Sequence, residues 1–252
     1  MDSDALRQPD QLRQQQAIFL RTVAHALRTP LQSLQGFAEL LEPGLSPAQV
    51  DHYIGFIKRD TAYITAIVDD LCLRYELERG PVHLFPAVVE VGSLLTELAQ
   101  AFEATVPDCL VMLDYSDDAP ALFADRDRLL HALWTLLRNA ERCRPDPSHP
   151  GCAVVLARLV APSRRIEFVV EDDGLVIPPE CAAALFEPLA ELPTVLGRPR
   201  LGVGLGLFVA REVARQMGGD LWLEYTHAIA GRQRGNTFIL SVPVFEGEVG
   251  HA

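Results

Sequence analysis

Phe19-Leu-Arg-Thr-Val-Ala-His25-Ala-Leu-Arg-Thr-Pro30-Leu31 places a single histidine on a long amphipathic helix, five residues ahead of a proline. Leu20, Val23, Leu27, Pro30, Leu34, Phe37 and Leu41 recur in steps of three and four, the spacing of a coiled-coil or four-helix-bundle seam. His25 falls off that seam, so its imidazole is expected to face solvent. Pro30 has no N–H and its ring crowds the carbonyl of Ala26, which predicts a bend one turn beyond the histidine. Thr29, four residues on, shares the face of His25, where a hydroxyl can meet a phosphoryl group or a water.

Outward from this stretch, the helix is expected to run from about Leu12 to Leu41. Pro43-Gly44-Leu45-Ser46-Pro47 then makes a turn, with Ser46 as N-cap and Pro47 at the first helical position. Val50, Ile54, Ile57, Thr61, Ile64, Val68, Leu71 and Tyr75 continue the same spacing in a second helix, which Arg79-Gly80-Pro81 ends. Two helices on a short turn form an antiparallel hairpin. A hairpin buries its apolar stripe poorly alone, so a homodimeric four-helix bundle is expected.

Beyond Val82 the pattern is mixed. Helices are expected over Val91–Ala104, Asp125–Cys143 and Val203–Met217, and strands over Ala153–Leu159, Ile166–Val170, Asp220–Tyr225 and Thr237–Pro243. That order suggests an α/β two-layer sandwich. The expected organisation is a helical hairpin over residues 1–80 and an α/β domain over 81–252.

Composition narrows the function. With 22 Lys and Arg against 34 Asp and Glu, the formal charge is −12, and no nucleic-acid partner is expected, because such surfaces need a basic stripe. Five cysteines, odd in number and never spaced Cys-x-x-Cys, argue against a disulfide framework or a thiolate zinc site and suit a reducing cytoplasm. No apolar run approaches the roughly 20 residues that span a bilayer, and the start is unlike a signal peptide. No membrane insertion is expected, and any membrane-embedded region would be absent, trimmed away or supplied by another protein.

Three constellations in the second half carry chemistry. In Leu136-Leu137-Arg138-Asn139-Ala140-Glu141-Arg142 the amide oxygen of Asn139 is a hard ligand suited to Mg²⁺, and Arg142 can meet phosphate oxygens. In Val170-Glu171-Asp172-Asp173-Gly174-Leu175-Val176 a carboxylate at a strand end can accept from an exocyclic amine, and Gly174 lets a ring approach the backbone. Gly202-Val-Gly204-Leu-Gly206-Leu207 opens a helix, whose N-terminus favours an anion.

The stretch around His25 resembles the phospho-acceptor motif of the sensor histidine kinases, which commonly reads Ser-His-Glu-Leu-Arg-Thr-Pro-Leu. The three later blocks resemble, in order, the ATP-binding domain shared by histidine kinases, DNA gyrase and heat-shock chaperones, and the likeness extends to Leu185-Phe186-Glu187-Pro188 and Gly235-Asn236-Thr237-Phe238. The resemblance implies ATP and Mg²⁺ as cofactors. It assigns Asp172 to the adenine amino group with Gly174 beside it, and Asn139 to Mg²⁺. Arg142 stands for the usual lysine near the phosphates, and Gly202, Gly204, Gly206 and Leu207 border the triphosphate. Leu189–Leu201 would form a lid. His25 would take the γ-phosphoryl group, with Thr29 beside it, and pass it to an aspartate on a response regulator receiver domain.

Three positions depart from the family pattern. Ala26 stands where an acid usually flanks the histidine, Thr135 where an asparagine precedes the metal ligand by one turn, and Val176 where Asp-x-Gly-x-Gly has its second glycine. Ala26 removes a proton acceptor, an aid worth roughly 10²–10⁴-fold in rate, so weak autokinase activity is expected. Thr135 keeps one oxygen. Val176 adds a branched side chain where a glycine supplies positive φ or open space. These departures leave two other readings open: a catalytically impaired pseudokinase or scaffold that docks a regulator or another kinase, and a response-regulator phosphatase built on Thr29.

Overall fold

The computed structural model describes residues 3–144, 151–161, 163–188, 203–224 and 235–245. It contains the expected helical hairpin followed by an α/β sheet domain, and the chain divides between Asp69 and Asp70 into two compact units.

In the first unit, α1 (Ser3–Glu39) starts about nine residues earlier than the apolar seam requires, because the glutamine-rich stretch before it has good intrinsic helix propensity. The helix continues through Pro30, which is buried. α2 (Pro47–Arg79), which passes into the second unit at Asp70, opens on a reciprocal cap: Ser46 N and Oγ both donate to Gln49 Oε1, at 3.0 and 2.9 Å, and Gln49 N donates to Ser46 Oγ at 3.4 Å. Near the turn the two helices meet through Phe37 and Phe56, stacked at 4.5 Å between ring centroids, with Arg59 over the Phe56 ring. Ile18, Leu20, Leu31, Ile54 and Val68 stay exposed on the hairpin. Gly80 ends α2 at φ 144, a conformation that needs glycine.

In the second unit, β1 (Ala87–Val89) pairs with β3 (Leu122–Ala124) in a two-stranded sheet. The main sheet has five strands. They are β2 (Cys109–Tyr115), β4 (Gly151–Val160), β5 (Arg165–Asp172), β6 (Asp220–Glu224) and β7 (Thr237–Pro243), in the spatial order β2-β4-β5-β7-β6. β2 runs parallel to β4 and all other neighbours are antiparallel. α3 (Val91–Thr105), α4 (Arg126–Arg142) and α5 (Gly206–Gln216) form the second layer, with α4 between the other two. Leu133, Leu136, Leu137, Phe102, Phe168, Phe238 and Leu240 fill the core between the layers.

Two helix starts position the candidate site. Asp125 caps α4, accepting from Arg128 N at 3.1 Å, and its other oxygen accepts from Phe85 N at 2.8 Å. α5 begins at Gly206 rather than at the expected Val203, because Gly204 takes φ 70, outside the right-handed helix. β2 has no counterpart among the strands expected from the sequence. Asp220–Tyr225 is seen as a strand to Glu224, and Tyr225 lies outside the described residues.

Candidate functional site

Two sets of residues converge in the second unit. At the end of β5, Asp172 is buried, and its Oδ1 accepts from Gly174 N at 2.8 Å, Asn236 N at 3.1 Å and Asn236 Nδ2 at 3.0 Å. Oδ2 accepts from Asn236 Nδ2 at 3.3 Å and keeps the larger unused capacity. Asn236 also fixes the turn after β5: its Nδ2 donates to Leu175 O and its Oδ1 accepts from Ile177 N. Burial pushes the Asp172 carboxyl up to about 6, with Asp173 adding to the rise and the donors from Gly174 and Asn236 opposing it.

Glycines let the chain close on this carboxylate. A β-carbon at Gly174 would stand 2.7 Å from both Asp172 Oδ1 and Cys143 Cβ, and one at Gly235, where φ is 70, would stand 1.4 Å from Asp172 O. Cys143 O accepts from Leu175 N at 2.7 Å, which ties the turn to the end of α4.

α4 supplies the second set. Asn139 lies in its last turns, half-buried, with Nδ2 buried and without a hydrogen-bond partner among the described residues. An orphaned buried amide is costly, and it fits a ligand group that this site would take. Arg142 is half-buried in the last turn. Thr135, one turn before Asn139, packs its methyl toward Gly206: a β-carbon there would stand 3.0 Å from Thr135 Cγ2. Gly206 is the first residue of α5, and its N-cap Leu205 makes no side-chain capping bond. Gly204 is exposed, and Leu207 packs against the core. Gly202 and the expected lid at Leu189–Leu201 lie outside the described residues. Ahead of them, Leu185-Phe186-Glu187-Pro188 includes a short turn of helix in which Phe186 is buried and faces the Arg211 guanidinium of α5 at 4.8 Å.

Val176 corrects one expectation. Among the described residues Arg164 is the non-glycine residue with positive φ, so Val176 occupies ordinary backbone and its substitution for glycine leaves no strain there.

In the first unit, His25 is exposed on α1, as its place off the seam requires. Thr29 is exposed as well, and its hydroxyl turns back to His25 O at 3.4 Å rather than outward.

Two family models match this arrangement. Residues 15–80 match the His Kinase A (phospho-acceptor) domain, and residues 124–246 match the histidine kinase-, DNA gyrase B- and HSP90-like ATPase. The chain belongs to the histidine kinases. Its relatives include the sensor protein GacS of Pseudomonas syringae pv. syringae, 30% identical over 216 residues, which cover 82% of this chain and 23% of GacS. The chain spans about a quarter of the length of the first curated relatives it matches. Two solved structures share the fold. Full-length ShkA in complex with AMPPNP is 24% identical with a TM-score of 0.59, over 89% of this chain and 45% of that one. The histidine kinase ThkA in complex with the response regulator protein TrrA is 21% identical with a TM-score of 0.57, over 97% and 67%. No described helix of this histidine-kinase core is long and apolar enough to cross a membrane.

Asn236 is a site residue that the sequence reading does not single out. The available signal is the Gly235-Asn236-Thr237-Phe238 motif, whose partner lies 64 residues earlier in sequence.

Proposed function

We propose that this histidine-kinase core binds Mg²⁺ and ATP in its α/β domain, transfers the γ-phosphoryl group to His25 and passes it to an aspartate of a response regulator receiver domain. The observation that carries the reading is the buried Asp172 carboxylate, held by Gly174 and Asn236 with one oxygen still able to accept. A protein that only docked partners would have no use for so costly a group. Asp172 would accept from the adenine amino group, with Gly174 letting the turn close on the carboxylate and donating to it. Asn139 would ligate the metal through its amide oxygen, and its orphaned nitrogen would donate to a phosphate oxygen. Mg²⁺, when bound, supplies charge neutralisation on the phosphates. Arg142 and the α5 N-terminus, bordered by Gly202, Gly204, Gly206 and Leu207, would complete the cradle.

In the transfer, a ring nitrogen of neutral His25 forms a bond to the γ-phosphorus as the bond to the bridging oxygen breaks, leaving ADP. The ring proton passes to solvent, because Ala26 offers no acceptor, and the step is slow for that reason. Thr29 lies beside the acceptor, and its hydroxyl would orient water on a phosphorylated regulator. The domain limits are taken as 1–80 and 81–252, the working form as a cytoplasmic homodimer built on the hairpins, and the input as a separate sensor or a further segment. That ThkA is solved with TrrA supports a receiver domain as the partner.

The test is calorimetric binding of ATP with and without Mg²⁺, joined to labelling with radioactive ATP in the wild type and in His25→Gln. Mg²⁺-dependent binding with label that disappears in His25→Gln is expected. Binding without label in the wild type would replace this reading with a pseudokinase scaffold or a phosphatase, and label that survives His25→Gln would move the acceptor elsewhere.

A further inference from the structure

Asp70 and His131 have no role in the proposed phosphoryl transfer, yet Asp70 sits against the glycine that opens α5 and His131 against Asp70. Asp70 lies on α2, in the part of that helix that belongs to the second unit, and its Oδ1 accepts from His131 Nε2 of α4 at 3.0 Å. Each side chain is only 16% exposed. The second oxygen, Oδ2, faces the start of α5: a β-carbon at Gly206 would stand 3.2 Å from it. His131 and Thr135 are one turn apart on α4, so the imidazole, the threonine methyl, the carboxylate and Gly206 form one cluster.

The first N–H groups of a helix have no intrahelical partners, and the macrodipole makes that end attractive to anions. Leu205 offers α5 no side-chain cap. The carboxylate of Asp70 therefore sets a negative charge beside the start of α5, and its bond to His131 fixes it there. Farther along the same two helices Arg128 is paired with Glu76 at 3.4 Å, and on α2 Arg74 is paired with Glu78 at 2.9 Å.

We infer that Asp70, oriented by His131, is an internal counter-anion that competes with the phosphates of the nucleotide for the N-terminus of α5. The inference rests on the reading of Gly204 and Gly206 as the border of the triphosphate. Its consequence is selectivity against occupancy: a ligand bearing phosphates must displace the carboxylate from the glycine, whereas a ligand that fills only the adenine side need not. Asp70 thus sets the affinity for the triphosphate, and it does so from the helix that leads out of the phospho-acceptor hairpin.

The experiment compares the wild-type chain with Asp70→Asn, Asp70→Ser and Glu76→Gln, titrating each with Mg²⁺ and ATP, with adenosine and with inorganic tripolyphosphate. Removing a like charge at this range should tighten ATP and tripolyphosphate roughly tenfold or more in both Asp70 variants and leave adenosine unchanged. Glu76→Gln lowers the negative charge equally but farther along α2, and should change nothing. Equal binding of tripolyphosphate and ATP by wild type and Asp70→Asn would overturn the inference, as would an equal gain in Glu76→Gln, which would make the effect one of net charge. Failure of adenosine to bind any of the four proteins would overturn the adenine site instead, while the tripolyphosphate comparison would still decide the role of Asp70.

Discussion

Asn236 donates its side-chain amide to both carboxylate oxygens of Asp172, at 3.0 and 3.3 Å, while Asp172 N donates to Asn236 O at 3.0 Å. The end of β5 and the approach to β7 are thereby locked to each other through backbone and side chain. A carboxylate so held keeps its orientation at the cost of its solvation, which is why its proton affinity is raised.

Ligand binding should follow that proton. Asp172 takes up a proton as the pH falls through about 6, and the site then loses the charge that accepts from an amine. Affinity for adenosine is expected to drop across that interval in the wild type. Asp172→Asn should bind roughly ten- to a hundredfold more weakly at pH 7.5 and lose the pH dependence. Calorimetry between pH 5 and 8 checks both, and a flat wild-type profile would contradict the assignment.

Stability should show the opposite trend. The folded carboxyl is raised above its ordinary value of 3.8, so its penalty is absent below that value and grows as the pH rises toward about 6. Asp172→Asn is therefore expected to lose this penalty, on the order of 1–3 kcal/mol, at neutral pH relative to pH 4. Urea midpoints for the two proteins at both pH values measure the difference.

Gly235→Ala should be severely destabilising. A methyl group at this position would meet Asp172 O at 1.4 Å, on a backbone at φ 70. A loss above about 3 kcal/mol is expected, because both the contact and the dihedral oppose the substitution. Gly55→Ala, on α2 with nothing within 4 Å, is the matched control and should be neutral or better. Thermal melts of the two variants decide it.

Leu20 and Leu31 are 64% and 48% exposed on the hairpin, a large apolar cost that a second copy would remove. Leu20→Asp with Leu31→Asp is expected to turn a dimer into a monomer in light scattering, leaving the α/β domain folded. A wild-type chain that is already monomeric at micromolar concentration would rule out this use of the stripe.

Ala26→Glu restores an acceptor next to His25. Labelling should accelerate by roughly 10²-fold if proton removal limits the transfer. An unchanged rate would place the limit elsewhere, in nucleotide binding or in the approach of the phosphate.

The legible parts of the chain are those written in local periodicity. The seam from Leu20 to Leu41, the Ser46 cap and the Gly80 stop mark the hairpin to within a few residues at most ends. β2 escapes because Cys109 and Val111 are buried while Leu110 and Met112 face outward, so an apolar run on both faces hides the alternation of a strand. β1 and β3 have three residues each, too few for any period. In the site, Asp172 and Gly174 are visible as a motif, but the partners that give them meaning are not. Asn236 lies 64 residues from Asp172, and His131 lies 61 from Asp70, separations at which no local pattern carries information.

α4 tolerates changes of residue and length very differently. His131, Thr135 and Asn139 succeed one another at intervals of four along a single helix, which then hands Cys143 O to the turn after Asp172. One inserted residue would swing everything beyond it by about 100° and carry it about 1.5 Å along the axis. Side chains along α4 can therefore be exchanged one at a time, while its residue count behaves as a ruler that cannot be recut by a single mark.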